Sequence, residues 1–160
     1  MQLALYQPDI AQNTGTLLRL GACLGVPVHV IGPAGFDLSD KALRRAGMDY
    51  LESATLVRHD GWTAFLAFVA ARERRIVLAT TKASLPYTDH AFGPADVLLL
   101  GRESAGVPDA VQDRADARVT IPMRPGLRSI NVALAGAMIL GEAFRQTQAF
   151  PPTVLPSPDG

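Results

Sequence analysis

A single cysteine, Cys23, stands among 160 residues, so no disulfide can close within the chain. It lies in the apolar run LLRLGACLG with no histidine beside it, and is expected to be buried and inert, packing like a small hydrophobe. The three histidines, His29, His59 and His90, share no ligand-like spacing with one another or with Cys23, so no metal site is expected. Charge of one sign is also missing. Fifteen Lys and Arg balance 15 Asp and Glu, and the overall charge gives no pointer to a nucleic-acid partner. No apolar run approaches the roughly 20 residues of a membrane span. The start, MQLALYQPD, meets an acid before any signal-like apolar stretch develops, which leads us to expect a cytoplasmic protein without membrane contact.

Several familiar site motifs are missing as well. The spacing of Gly101 and Gly106 superficially matches a P-loop, but Val107 and Pro108 occupy the places where Lys and Ser or Thr must hold phosphates and magnesium. No G-x-G-x-x-G follows the first apolar run, which removes the dinucleotide fingerprint. A G-x-S-x-G elbow and the paired H-x-E and C-x-x-C of zinc deaminases are likewise missing.

What is present is apolar and ordered. Hydrophobic residues make up 48% of the chain and the mean hydropathy is +0.16, values suited to a compact α/β protein with a sizeable subunit interface. Residues 1–150 are expected to form one domain. Residues 151–160, with Pro151, Pro152, Pro156 and Pro158, should form a loose tail. Strand signals at 2–6, 28–31, 55–58, 76–80, 97–100 and 119–123 alternate with helix signals at 13–24, 40–46, 62–74, 108–114 and 131–146. That alternation implies a mostly parallel sheet flanked by helices. Asn13 is expected to cap the first helix and Gly25 to end it.

The stretch 118–146 carries the most information. A short strand leads into a basic Pro/Gly loop with Arg124 and Arg128, and then into a helix almost free of charge until Glu142. Apolar residues all round that helix predict cover on more than one side. Ala133, Gly136, Ala137, Leu140 and Gly141 would let another backbone come close, which suggests a partner subunit. Ser129 and Asn131 stand at the helix start, as caps or as the polar rim of a pocket. Loops beyond the strand ends gather ligands in such sheets. Residues 80–82, 101–106 and 122–129 qualify, the last two as parts of one pocket. Of the basic clusters, Arg72, Arg74 and Arg75 suit a helix C-terminus. Lys41, Arg44 and Arg45, like Arg124 and Arg128, are candidates for phosphate contacts.

Three segments in order, NTGTLLR (13–19), LLLGRESAGVP (98–108) and IPMRPGLRSINVA (121–133), resemble the three motifs of the SPOUT, or trefoil-knot, methyltransferases. DKALRRAGMDY (40–50) and LATTKA (78–83) sharpen the resemblance to the small TrmL/YibK-like tRNA wobble-position ribose 2′-O-methyltransferases. The resemblance implies an α/β fold with a deep C-terminal trefoil knot, although knots are nearly unknown in proteins. It implies S-adenosyl-L-methionine as methyl donor, leaving S-adenosyl-L-homocysteine. Ala79, Thr80, Leu100, Gly101, Glu103, Ile121, Met123 and Ser129 would surround the donor, with Arg19, Ser129 and Asn131 catalytic. The acceptor would be the ribose 2′-hydroxyl of a wobble cytidine or modified uridine in a tRNA anticodon stem-loop. A homodimer through the C-terminal helix would bring Arg19 of one subunit toward the pocket of the other. Lys41, Arg44, Arg45, Tyr50, Arg124 and Arg128 would bind RNA. The chain departs from the pattern in having Arg102 where Pro is common, and Ala133 where a polar residue is common. Three alternatives remain: the same chemistry on another RNA such as rRNA, a noncatalytic RNA- or adenosine-binding dimer, and an unrelated metabolite-binding α/β protein.

Overall fold

A computed structural model describes residues 1–39, 42 and 53–153. Lys41, Arg44, Arg45, Tyr50, the helix expected at 40–46 and the tail from 154 onward lie outside the described residues.

The sheet has six strands: β1 (Gln2–Tyr6), β2 (Val28–Ile31), β3 (Leu56–His59), β4 (Arg75–Ala79), β5 (Asp96–Leu100) and β6 (Ala117–Val119). All pairings are parallel, in the order β3-β2-β1-β5-β4-β6. The order reverses between β1 and β5, so the loops leaving these neighbours diverge and open a crevice at their carboxyl ends. Every residue of β5 is buried, as a central parallel strand covered on both faces requires.

Period-two alternation divides the core. Leu3, Leu5, Val77, Leu98 and Leu100 point to one face, where α1 (Ala11–Leu24) and α4 (Val132–Thr147) pack side by side. Ala4, Tyr6, Ile76, Leu78, Val97 and Leu99 point to the other, against Phe65 and Val69 of α2 (Trp62–Ala70) and Val111 of α3 (Asp109–Arg114).

Local chemistry sets the element ends, and in several places it overrides the sequence expectation. Helix α1 starts two residues before Asn13, with Ile10 at its N-cap and no side-chain cap, so Asn13 does not cap it. Gly25 ends the helix at φ 68°, a left-handed conformation that favours glycine. Helix α2 stops at Ala70 rather than 74, because Glu73 turns to φ 49° before β4 begins. Arg72 then lies over the Phe68 ring at 4.2 Å, and Arg75 forks onto the buried Asp96 at 2.8 and 2.9 Å. These cations stabilise the strand entry and ring rather than a helix dipole. Strand β6 ends at Val119 and not at Met123, which frees Ile121 and Met123 for the loop above the sheet.

Two buried-surface expectations also change. Cys23 is exposed. Gly136 and Leu140 face inward, not toward a partner. A Cβ at Gly136 would lie 2.8 Å from Leu100 Cδ1 and 3.0 Å from Leu17 Cδ2, so the small residue lets α4 sit down on β5 and α1. Ala133 is buried with them, whereas Gly141 faces open space.

Candidate functional site

A cavity of about 330 Å³ opens above the carboxyl ends of β4, β5 and β6, at the small end of the range typical for ligand sites. Three chain segments supply most of its wall: 78–81, 100–107 and 119–123. The first turns of α1 and α4, with the residues leading into them, close the side. All eight residues expected around the methyl donor, Ala79, Thr80, Leu100, Gly101, Glu103, Ile121, Met123 and Ser129, line it. Asn131 lines it too. Leu78, Val119, Val132 and Ile139 add aliphatic surface, so the interior suits a flat ring held between side chains, with Asn13, Thr80, Glu103, Ser129 and Asn131 supplying polar groups.

The turn after β5 is tightly built. Arg102 N–H donates to Gly106 O and Gly106 N–H donates back to Arg102 O, each at 2.9 Å. Gly106 takes φ 64°, and a Cβ on Gly101 would fall 2.8 Å from the Gly106 carbonyl carbon. That contact is with backbone, which cannot swing aside as a flexible side chain would. The turn therefore requires glycine at 101.

From the tip of this turn a polar chain crosses the cavity wall. Glu103 Oε2 accepts from Asp9 N–H at 3.0 Å, and Oε1 accepts from Asn13 Nδ2 at 3.1 Å. Asn13 Oδ1 accepts from Asn131 Nδ2 at 3.0 Å. Asn131 caps α4, its Oδ1 accepting from Ala133 N–H at 2.9 Å and Leu134 N–H at 3.3 Å. It is thus both cap and pocket-wall residue. Asp9 closes the other end: Oδ1 accepts from Glu103 N–H at 3.2 Å, the Ser104 hydroxyl donates to Oδ2, and Arg102 Nε lies 3.9 Å from Oδ2. Hydrogen bonding to Glu103, then to Ser104, lowers the Asp9 carboxyl to about 2.

Asn13 and Asp9 were not among the expected site residues. In the sequence, the NTG signal at 13–15 reads as a helix cap. Its polar side chain, placed in the first turn of a helix that starts at Ala11, serves the cavity instead. Arg19 stands farther along α1, exposed and outside the cavity lining of its own chain. Arg124 and Arg128 are exposed on the loop that carries Met123 and Ser129 into the cavity. Leu127, between them in sequence, keeps 65% of full exposure; elsewhere Leu134 at 60%, Ile10 and Met138 are also open.

The sequence matches the SpoU rRNA Methylase family over residues 1–141. The chain belongs to the SpoU methylase family. Within it, a curated relative from Beijerinckia indica, named tRNA (cytidine(34)-2′-O)-methyltransferase, is 63% identical over 147 residues, 92% of each chain. A solved structure described as giving insight into the 2-OH methylation of C/U34 on tRNA superposes with a TM-score of 0.84 at 40% identity, covering 91% of this chain and 94% of the other. The SpoU methyltransferase AviRb of Streptomyces viridochromogenes, in complex with AdoMet, superposes with a TM-score of 0.81 at 28% identity. It covers 91% of this chain but 60% of its own. The parallel sheet and flanking helices described above are the SpoU arrangement.

Proposed function

We propose that this protein transfers a methyl group from S-adenosyl-L-methionine to the 2′-hydroxyl of the ribose at the wobble nucleotide, position 34, of tRNA. The observation that carries the proposal is that segments 78–81, 100–107 and 119–123 converge on one cavity in a chain that matches a tRNA (cytidine(34)-2′-O)-methyltransferase over 92% of its length. The cavity fits the donor. Its aliphatic wall suits adenine, its strand-end backbone can address a purine edge, and the pinched turn at Gly101 gives close approach. When bound, S-adenosyl-L-methionine supplies an electrophilic methyl group on a sulfonium.

The chain's own residues then have two tasks, alignment and stabilisation of charge. Ser129 and Asn131 border the cavity where the ribose would approach. Arg19 is a permanent cation and donor, suited to hydrogen-bonding the 2′-oxygen as negative charge builds there. Its place outside its own cavity supports delivery from a second copy of the chain. The exposed Leu134 and Met138 on α4 support such a homodimer, since each presents apolar surface that a partner helix would bury. The path from β6 at the sheet edge, through cavity-lining Ile121, Met123 and Ser129, to α4 against β5 and α1 supports a threaded, trefoil-knotted terminus. Arg124 and Arg128 would meet tRNA phosphates, joined by Lys41, Arg44, Arg45 and Tyr50. The single catalytic domain spans 1–150 and works in the cytoplasm, where its substrate is.

The test is incubation with labelled S-adenosyl-L-methionine and total tRNA, followed by nuclease digestion and mass spectrometry. Label on the ribose of nucleotide 34 is expected. Label confined to ribosomal RNA fragments would move the substrate, and no transfer to any RNA would overturn the proposal.

A further inference from the structure

Building on that functional reading, we propose that Asp9 is a positioning residue for methyl transfer: it does not line the cavity, yet it holds the 101–106 turn and, through Glu103, the Asn13–Asn131 pair that does.

The turn is pinched at its base by the reciprocal Arg102–Gly106 backbone bonds, so its tip can rock about that base unless something outside grips it. Asp9 supplies the grip. It leaves β1 at the point where strand order reverses, and it makes two bonds of opposite sense with one residue: its N–H donates to Glu103 Oε2 and its Oδ1 accepts from Glu103 N–H. Its other oxygen takes the Ser104 hydroxyl, the next residue of the tip. With the tip fixed, Glu103 Oε1 stands where Asn13 can donate to it, and Asn13 is turned so that its oxygen meets Asn131. Three of those residues, Glu103, Asn13 and Asn131, form cavity wall. The Asp9 side chain retains only 19% of its exposure, less than the 39% of Arg102 beside it. This partial burial strengthens its bonds relative to a free surface carboxylate.

Without the Asp9 carboxylate, the turn keeps its base but loses two of its tip bonds. The donor site loosens and Glu103 no longer aligns Asn13. The consequence is a loss of donor affinity and of transfer rate in a protein that is still folded.

The experiment compares Asp9→Ala and Asp9→Asn with the wild type by three readouts: S-adenosyl-L-homocysteine affinity by calorimetry, single-turnover methyl transfer to tRNA, and melting temperature. In Asp9→Ala, affinity should fall about tenfold and the transfer rate about 100-fold, while melting moves by only a few degrees. Asp9→Asn retains an oxygen for Glu103 N–H and should recover most of the affinity. Affinity and rate within twofold of wild type in Asp9→Ala would overturn the inference. So would losses that Asp9→Asn does not relieve, or losses that merely track the folded fraction. Should Asp9→Ala fail to fold, Asp9→Asn combined with Ser104→Ala removes the Oδ2 grip alone. This pair must then show weakened affinity at an unchanged melting temperature, and unchanged affinity overturns the inference. If the wild type binds S-adenosyl-L-homocysteine but methylates no RNA, the functional reading fails, and the affinity measurements still decide the role of Asp9.

Discussion

On one face of the sheet, α1 and α4 pack aliphatic side chains, bring Asn13 and Asn131 to the cavity wall, and leave Leu134 and Met138 exposed on their outer side. On the other, α2 lays Phe65 and Phe68 against two histidines, His29 and His59. His29 is fully buried and wired in place. Gln2 Oε1 can only accept, so His29 Nε2 donates to it at 3.0 Å, and His29 Nδ1 accepts from His59 Nε2 at 2.9 Å. Burial, then the charge of His59, Arg74 and Arg72, pushes His29 down from 6.5 to about 4. The two faces thus divide labour. The α1/α4 face borders the cavity and leaves apolar side chains open, while the α2 face holds a neutral polar pair whose protonation acts on folding.

Phe65→Ala is the severest way to break that division. Removing a fully buried ring should cost about 3–5 kcal/mol of stability, read by denaturant titration. Cofactor affinity of the remaining folded protein should be unchanged, and a matching loss of affinity would mean that the faces are coupled. Arg19→Ala is the counterpart on the other side. Transfer should slow about 100- to 1000-fold in a single-turnover assay with cofactor affinity and melting temperature kept. An unchanged rate would remove Arg19 from the mechanism.

Gly101→Val forces a side chain against the Gly106 backbone and should weaken S-adenosyl-L-homocysteine binding about 100-fold by calorimetry, with the α2 face undisturbed. Leu134→Asp should weaken self-association about tenfold or more in sedimentation equilibrium, and lower transfer at dilute protein in step with the monomer fraction. The mildest test is pH. His29 is neutral when folded, whereas the unfolded chain takes up its proton below 6.5. The stability it contributes is therefore full above pH 6.5 and drains as pH falls toward 4. The melting temperature should fall by about 3–5 °C between pH 7 and 5, and less in His29→Gln.

How much of this was legible depended on distance along the chain. Strand β2 and the apolar β5 are readable from their own residues, and the expected cavity-lining residues from the segments 98–108 and 121–133 together with LATTKA at 78–83. The His29–His59 bond was not, because only the parallel pairing of β2 with β3 brings together residues 30 apart. Gly136 was read as facing a partner because periodicity reveals that a residue is small, not which side of the helix its own core occupies. Cys23 was placed inside for the same reason: an apolar run on α1 does not say which of its members the last helix covers. Asn13 reads as a cap from its neighbours alone, because the partner that its side chain meets, Glu103, lies 90 residues away, and the helix starts at Ala11 with no side-chain cap.

The bonds from Glu103 to α4 run in one direction only. A carboxylate can only receive, which obliges Asn13 to turn its nitrogen that way. The amides at the start of α4 can only give, which obliges Asn131 to turn its oxygen toward them. The two asparagines then meet oxygen to nitrogen, with no freedom left to flip. Asparagine is a residue type that can give from one atom and receive at the other over so short a reach. Replacing either with aspartate would set two oxygens face to face in the pocket wall, so a viable sequence would have to change the whole row in concert rather than one member at a time.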